Sequence, residues 1–390
     1  MSSVYLQPGC DQRIKQGHPW VFSNEVQGRL KEYSPGEIVE VLDAQGRFIG
    51  KGYVNPNSLI AVRILTRYRE DIDGAFFMRR IAAAWEYRQK VYPRRDSLRV
   101  VYSEGDLLPG LIVDKFNDCL VVQFHTLGME IRKDVILAAL ESVFIPRVIV
   151  LRNDVSVRRL EGLPLEKKVA KGLLSGPIVI QEDGLRFQVD ILEGQKTGFF
   201  FDQSENRLKL QRYVSQGEVL DCFCYTGAWA LHAAAAGARR VIGLDSSQRA
   251  LELARINAEL NGLDGVCQFY RADIFQGIED LVGDNKGFDA IILDPPSLAE
   301  SRKSLPTALK GYEKINYQAL KLLKPGGILV TSSCSYHIGM RQLQDVILKA
   351  AKKAGRAVRL VAYGHQSPDH PILLAAPETE YLKCLFLLAA

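Results

Sequence analysis

From residue 217 onward, short apolar runs alternate with longer amphipathic segments, and this alternation constrains the fold more than any other feature. The apolar runs are VLDCF (219–223), RVIGLD (240–245), FDAIILD (288–294) and GILVTSS (327–333). Segments with helical periodicity, such as QRALELARINAEL, lie between them. Near-continuous apolar strands joined by helices are typical of a parallel sheet that is covered on both faces. The pattern therefore predicts a doubly wound α/β domain over residues 186–390.

The part of the chain before this domain shows two other patterns. Residues 1–70 alternate short apolar runs with Gly, Pro and Asn turns, which favours a small β-barrel. Residues 75–91 have helical periodicity, and residues 98–160 follow the order strand, strand, helix, strand. The segment IVIQEDGLRFQVDIL indicates a hairpin around its EDG sequence. We therefore predict a central α+β domain over residues 75–185, and three domains in all.

Composition excludes several classes of protein. The 390 residues carry a mild net charge of +5, with 47% hydrophobic and 24% charged residues, as in ordinary globular proteins. The seven cysteines are scattered and form no CxxC pair, so the sequence predicts no metal site and favours a reducing cytosol. The N-terminus lacks a signal-peptide pattern, and no apolar run reaches the roughly 18 residues of a membrane span. We expect a cytoplasmic protein without metal or membrane attachment.

Carboxylates at three successive strand ends indicate a cofactor pocket. The first strand end, around Asp221, reads DCFCYTGAW with a single glycine, Gly227, whereas a dinucleotide site needs G-x-G-x-x-G. Asp245 ends the next strand, where it can accept both ribose hydroxyls, and Asp273 ends the third, where it can accept an adenine amino group. Each aspartate alone is equally well explained as a helix N-cap. Together, a ribose, an adenine and no pyrophosphate describe S-adenosylmethionine.

The fourth and fifth strand ends carry the residues with catalytic chemistry. Two prolines follow Asp294 and hold it rigidly at the crevice. Methyltransferases that act on nitrogen in planar groups use a similar turn, usually with an aromatic residue where this chain has Ser297. Cys334 follows the fifth strand, and a cysteine is most often a buried packing residue. At the mouth of this pocket, however, a thiolate can add to carbon 6 of a pyrimidine and activate carbon 5 toward a methyl group. We therefore predict Cys334 as the nucleophile and Asp294 as the second catalytic residue.

The chain resembles the bacterial large-subunit ribosomal RNA cytosine-5 methyltransferases over essentially its whole length. The matching motifs are HPWVFSNEV, SEGDLLPGLIVDKF, GQKTGFFFDQSENR, VLDCFCYTGAWALHAA, VIGLDSSQRAL, FDAIILDPPS, SSCS, DHP and PETEYLK. The resemblance implies an N-terminal RNA-binding PUA domain, a central α+β domain and a C-terminal class I methyltransferase domain with a seven-stranded sheet. It also implies 23S ribosomal RNA as the partner, 5-methylcytosine as the product and Cys334 as the nucleophile. Broader RNA cytosine-5 methyltransferases often have a second cysteine beside Asp-Pro-Pro, which this chain lacks.

The predicted binding residues fall into two sets. The cofactor set consists of Asp221, Phe223, Tyr225, Gly227, Asp245, Asp273, Asp294 and Gln203. Ser204 stands where the family usually has Arg, so Gln203 and Arg207 are expected to share that work. The RNA set consists of Arg13, Lys15, Trp20, Lys196 and Arg207. Cations interleaved with aromatics suit a reader of single-stranded or loop RNA, although Trp20 is equally well explained as barrel packing.

Two other functions stay open at this stage. One is a methyltransferase that acts on an exocyclic amine or a guanine, in which Asp294 would be central and Cys334 dispensable. The other is a non-enzymatic RNA-binding factor that keeps the pocket as a relic, and the intact set of strand-end residues argues against it. The sequence does not identify the modified nucleotide or the oligomeric state, for which a homodimer is one option.

Overall fold

The computed structural model describes residues 2–278, 287–299 and 301–390. The chain divides into two compact units. The first comprises Met1–Ile178, Asp190–Phe199 and Pro368–Thr379, and the second comprises Val179–Val189, Phe200–Ser367 and Glu380–Ala390. The three-domain division with boundaries near residues 70 and 185 stays a prediction.

The first sheet of the first unit is built from the N-terminal strands, in the order β1-β3-β4-β5-β2. Its elements are β1 (Ser2–Tyr5), α1 (Gln12–Lys15), β2 (Trp20–Phe22), β3 (Ile38–Leu42), β4 (Phe48–Val54) and β5 (Ile60–Thr66). The core beneath it contains fully buried aliphatic side chains such as Val4, Val39 and Val62. These short strands, separated by Gly and Pro turns, agree with the predicted small β-domain.

The second sheet of the first unit has the order β10-β9-β8-β7-β6. Its elements are α2 (Gly74–Val91), β6 (Ser97–Tyr102), β7 (Leu111–Phe116), β8 (Cys119–Phe124), α3 (Leu127–Ile131), α4 (Lys133–Phe144), β9 (Val148–Asn153) and β10 (Glu166–Lys171). Asp73 caps α2 by accepting a hydrogen bond from the Phe76 backbone N–H. The sequence analysis predicted α2, β6, β8, α4 and β9, but it missed β7 and β10.

The second unit begins with the predicted hairpin and then forms the seven-stranded sheet. Its elements are β11 (Ile178–Glu182), β12 (Leu185–Val189), α5 (Ser204–Leu210), β13 (Glu218–Cys222), α6 (Ala228–Ala235), β14 (Arg240–Asp245), α7 (Gln248–Leu260), β15 (Cys267–Arg271), β16 (Phe288–Leu293), α8 (Leu305–Leu322), β17 (Leu323–Ser333), α9 (Met340–Lys353), β18 (Val358–His365) and β19 (Lys383–Ala389). The strand order is β15-β14-β13-β16-β17-β19-β18.

The order reverses beside β13, which pairs in parallel with both β14 and β16. The seven strands of the predicted class I methyltransferase sheet are therefore confirmed. The predicted parallel pairing is confirmed from β15 to β17, whereas β19 runs antiparallel to both β17 and β18. Apolar composition reports burial on both faces, and burial is the same for either strand direction. Direction was therefore not encoded in the pattern used.

Candidate active site

The predicted strand-end residues meet at one edge of the seven-stranded sheet. Strands β13, β14, β16 and β17 are parallel neighbours, so their carboxyl ends face the same crevice. Asp221 is the penultimate residue of β13, and Asp245 is the last residue of β14. Asp294 and Cys334 directly follow β16 and β17, respectively. The sequence prediction therefore placed these four side chains correctly at a shared edge.

The loop after β13 has a backbone that few sequences can adopt. Phe223, Tyr225 and Gly227 have φ angles of +67°, +50° and +82°. Two non-glycine residues in this region store strain, which is found most often at ligand sites. At Gly227 an added Cβ would lie 3.1 Å from a methyl carbon of Leu231, and its φ angle already disfavours a side chain. The loop is thus bent tightly at the start of α6.

Asp245 is held by this loop. Its Oδ2 accepts a hydrogen bond from the Tyr225 backbone N–H at 2.9 Å, and its Oδ1 accepts one from the Ser247 N–H at 2.9 Å. An ionised carboxylate has about four acceptor positions, so two remain for a ligand. The half-buried side chain can therefore accept from two hydroxyl groups, as the ribose prediction requires.

Asp221 offers a buried oxygen that no described residue satisfies. Its Oδ2 accepts a hydrogen bond from the Ala230 backbone N–H at 3.0 Å, while its Oδ1 is buried without a donor among the described residues. Burial raises the pKa of this carboxyl well above its usual range, and the neighbouring Asp294 raises it further. A positively charged ligand would relieve both effects. The residues present therefore fit a cofactor that carries an ammonium group, as S-adenosylmethionine does.

Asp273 is exposed and satisfied by the turn in which it lies. Its Oδ1 accepts a hydrogen bond from the Phe275 backbone N–H at 3.0 Å, and its Oδ2 accepts one from Gln276 Nε2 at 2.9 Å. The Phe275 ring lies 5.4 Å from that of Phe223, centroid to centroid. The predicted contact with an adenine amino group stays a prediction, and an aromatic wall formed by these rings is the clearer feature of this strand end.

Asp294 is fixed by one neutral donor on each oxygen. Gln203 Nε2 donates to Oδ1 at 2.9 Å, and Trp229 Nε1 donates to Oδ2 at 3.0 Å. Asn206 Nδ2 donates to Gln203 Oε1 at 2.7 Å, which sets the orientation of the side-chain amide. Burial raises the pKa of Asp294 to about 6 against these two hydrogen bonds. The group is therefore oriented rigidly and can change protonation near neutral pH.

The predicted cofactor ligand Gln203 thus contacts Asp294, which was predicted as catalytic, and both roles stay predictions. Trp229 was not predicted as a site residue. Its indole N–H can only donate, and a buried tryptophan in the first turn of an alanine-rich helix must find an acceptor. The need for such an acceptor was the sequence feature that could have identified Trp229 as a site residue.

Cys334 lies against the turn that carries Asp294. Its half-buried Sγ is 3.9 Å from the Pro295 carbonyl oxygen. Ser335 ties the two loops together, because its Oγ accepts hydrogen bonds from the backbone N–H groups of Leu298 and Ala299 at 3.1 and 3.2 Å. The thiol and the carboxylate predicted as catalytic residues are therefore on adjoining, cross-bonded loops. Cys222 and Cys224, by contrast, are buried in the core as expected.

The five predicted RNA-binding residues differ in how far their side chains are exposed and in which protein groups they already bond. Arg13 donates to both carboxylate oxygens of Glu25 at 2.8 and 2.9 Å, and Lys15 pairs with Asp11 and with Asp43.

Trp20 Nε1 donates to Glu104 at 2.8 Å. Arg207 is buried and donates to both oxygens of Glu182 at 2.9 Å, and this burial counts against the predicted RNA contact. Lys196 is exposed, in a backbone conformation with φ +49°. The roles of all five stay predictions.

One group of metal-ligand side-chain types occurs in residues 2–278, 287–299 and 301–390. Glu182, Asp183 and His232 bring three such atoms within 4.8 Å of one another. Because Glu182 already accepts two hydrogen bonds from Arg207, its charge is matched within the protein. In the same described ranges, no helix combines the length and the apolar character needed to cross a bilayer.

Comparison with known proteins gives two family matches. A PUA-like domain matches residues 4–67, and an S-adenosylmethionine-dependent methyltransferase domain matches residues 87–385. The chain is 38% identical over 388 residues to ribosomal RNA large subunit methyltransferase I of Pseudoalteromonas atlantica, covering 98% of each chain. It is 40% identical over 391 residues to the protein of the same name from Vibrio cholerae, again covering 98% of each.

Solved structures share the fold. A Streptococcus mutans protein described as an S-adenosylmethionine-dependent methyltransferase superposes with a TM-score of 0.84 at 20% identity, covering 100% of each chain. A methyltransferase structure in complex with SAH superposes with a TM-score of 0.86 at 20% identity and the same coverage.

Proposed function

Since the chain belongs to the S-adenosylmethionine-dependent methyltransferase family that includes the large-subunit ribosomal RNA methyltransferases I, we propose that it methylates carbon 5 of a cytosine in 23S ribosomal RNA. The predicted family resemblance, cofactor and enzyme class are confirmed by these matches. The position of the methyl group and the covalent chemistry are the finer part of the proposal. The observation that carries it is the placement of Cys334 beside the Asp294 turn, with Sγ 3.9 Å from the Pro295 carbonyl oxygen.

The reaction starts with the thiolate of Cys334. It attacks carbon 6 of the cytosine, forming the S–C6 bond and moving the ring electrons toward carbon 5 and nitrogen 3. When bound, S-adenosylmethionine supplies the electrophilic methyl group that carbon 5 takes. A base then removes the proton of carbon 5, the 5,6 double bond re-forms, and the S–C6 bond breaks to return the thiolate. Cys334 thereby makes a weakly nucleophilic carbon reactive.

Asp294 neutralises the negative charge that this addition creates on nitrogen 3. A carboxyl whose pKa is about 6 can give a proton to nitrogen 3 as the thiolate adds, and can take it back as the thiolate leaves. Gln203 and Trp229 each donate to one of its oxygens, so the group keeps one orientation during both steps. Proton transfer of this kind contributes typically about 10²- to 10⁴-fold in rate.

The PUA-like domain is proposed to bind the RNA. Phosphate contacts from its exposed cations would fix the position of the strand, while stacking on aromatics would hold unpaired bases. Lys196, in the first unit but outside the first sheet, is exposed, as is Lys15.

Methylation of an exocyclic amine is the second candidate, because the Asp-Pro-Pro turn is found in enzymes of that class. Ser297 stands where such enzymes usually have an aromatic that stacks on the base, and its side chain is exposed. The cytosine-5 proposal is preferred because it also uses the position of Cys334.

Trapping with 5-fluorocytidine tests the proposal. Fluorine at carbon 5 cannot leave as a proton does, so elimination stalls after methylation and the protein stays bonded to the RNA. The full-length parent and a Cys10→Ala control should give a denaturation-resistant band with substrate RNA that carries the analogue. Cys334→Ala should give no band and no methyl transfer, while still binding S-adenosylmethionine in calorimetry. Full methylation by Cys334→Ala would overturn the covalent proposal and favour the amine.

A further inference from the structure

We propose that Lys383 is a positioning residue for Cys334. The ammonium group of Lys383 favours the thiolate form of Cys334 and holds the loop that carries this cysteine. The proposal rests on the covalent function proposed above, because only a reacting thiol needs to be ionised. Lys383 lies within PETEYLK, a segment for which the sequence analysis assigned no role beyond family resemblance.

The strand pairing places Lys383 beside the nucleophile. Lys383 is the first residue of β19 and lies directly opposite Ser333, the last residue of β17, in an antiparallel pair. Directly opposed residues in such a pair point to the same face of the sheet. Cys334 is the next residue after Ser333. The Lys383 side chain therefore starts from the end of the sheet at which β17 leads into Cys334.

The hydrogen bonds of Lys383 fix this loop. Its Nζ donates to the Ser335 carbonyl oxygen at 2.8 Å and to the Tyr381 carbonyl oxygen at 2.7 Å. Ser335 directly follows Cys334, so the first bond restrains the backbone on the far side of the nucleophile. An ammonium group has three donors, and two of them are used in this way.

The charge of Lys383 has no carboxylate partner within 4.0 Å in the described parts of the chain, although the side chain is only 6% exposed. Buried lysines are rare unless they are paired with an anion. Burial lowers the pKa of Lys383 to about 8, and the negative charge of Cys334 opposes this shift more than that of Glu380. Since the interaction of two charges is mutual, the ammonium group favours ionisation of the thiol by the same amount.

A purely structural role for Lys383 predicts different behaviour. If the amine only bonded strand-end carbonyls, its removal would lower stability without changing how the thiol titrates. The titration of Cys334 is therefore the readout that separates the two roles, and it requires neither RNA nor cofactor.

The test is the rate at which iodoacetamide alkylates Cys334 between about pH 6 and 9.5, read by peptide mass spectrometry on the full-length protein. Only the thiolate reacts, so the rate reports its fraction. Lys383→Met should move the midpoint up by about one pH unit and slow alkylation at pH 7 about tenfold. Lys383→Arg, which keeps the positive charge, should stay within about threefold of the parent at the same pH.

Two controls belong in the same experiment. Cys10, which is also partly exposed but lies in the other unit, serves as an internal reference and should react equally in every variant. Lys324→Met removes one lysine charge near the opposite end of the same strand β17, where the amine pairs with Asp289, and should leave the Cys334 profile unchanged.

Identical Cys334 profiles in the parent and in folded Lys383→Met would overturn the proposal. If Lys383→Met does not fold, the Arg variant decides, because a rise of one unit in its midpoint would show that a cation at this place does not favour the thiolate. Failure of the covalent function would give a different result. Cys334→Ala would still methylate the RNA, while Lys383→Met would still shift the titration of Cys334 in a protein that keeps this cysteine.

Discussion

Buried charges have different partners in the first compact unit and at the strand-end edge of the second. In the first unit, Arg63 pairs with Glu161 at 2.9 Å, and Arg99 pairs with Asp114 at 2.7 Å. At the strand-end edge of the second unit, Asp294 is bonded by two neutral donors and Lys383 by two carbonyl groups. A direct ion pair offsets much of the cost of removing a charge from water, whereas neutral partners offset less.

The consequence is visible in the pKa values of the second set. Burial raises the pKa of Asp294 to about 6 and lowers that of Lys383 to about 8, so both lie near neutral pH. An enzyme needs groups that exchange protons in this range. Paired charges stabilise the fold, whereas buried charges without a carboxylate or cationic partner can exchange protons near neutral pH.

The largest effect is expected for Asp294→Asn. The amide keeps only one oxygen for the two donors Gln203 and Trp229. It also cannot give up a proton to nitrogen 3, so kcat should fall by about 10²-fold or more. Asp289→Asn is the matched control, since it changes a carboxylate near the start of the same strand β16, where Asp289 pairs with Lys324. Single-turnover methylation of substrate RNA measures both. A kcat for Asp294→Asn within threefold of the control would remove Asp294 from the chemistry.

A smaller effect is expected on stability against pH. The folded pKa of Asp294, about 6, lies above its ordinary value of 3.8, so the folded state binds the proton more tightly. This contribution to stability is full below about pH 4 and is lost as the pH rises through 6. A shift of about two units corresponds to at most about 3 kcal/mol, and less here because solvent reaches part of the side chain.

Thermal unfolding of the parent and of Asp294→Asn checks this. The Asn variant, which does not titrate, should gain stability relative to the parent between pH 4 and 7. A difference that is constant across this range would mean that the carboxyl titrates in the folded protein as it does in the unfolded chain.

Much of this arrangement could be predicted from the sequence, because it depends on where strands end. Asp245, Asp294 and Cys334 each follow an apolar run, and parallel strands bring such ends together whatever the loops do. Strand β10 could not be found in this way, since EKKVAK is a largely exposed edge strand without an apolar pattern. Strand β7 was missed although LIVDKF is buried, because the Leu-Pro-Gly turn before it was not used as a boundary.

The contacts of Lys383 and Trp229 were out of reach for a more basic reason. Lys383 is brought opposite Ser333 by the pairing of β19 with β17, and no local pattern gives that register. Trp229 reaches Asp294 across 65 residues of sequence. Side-chain partners that are distant in the chain are set by tertiary packing, which periodicity does not describe.

The smallest effect is expected for Arg13→Gln, on the paired side of the contrast. The guanidinium of Arg13 bonds Glu25 and lies 4.9 Å from the ring centroid of Phe22, so part of its charge is already matched within the domain. Part-exposed pairs contribute about 0.2–1 kcal/mol to stability, and the melting temperature should therefore fall only slightly. RNA affinity should fall less than about threefold, and its salt dependence should barely change.

Lys196→Gln is the comparison. This exposed side chain would lose one phosphate contact, which lowers the slope of log affinity against log salt by about one. Filter binding at several salt concentrations measures both slopes. If Arg13→Gln changes the slope as much as Lys196→Gln does, then pairing with Glu25 does not withhold the Arg13 cation from RNA.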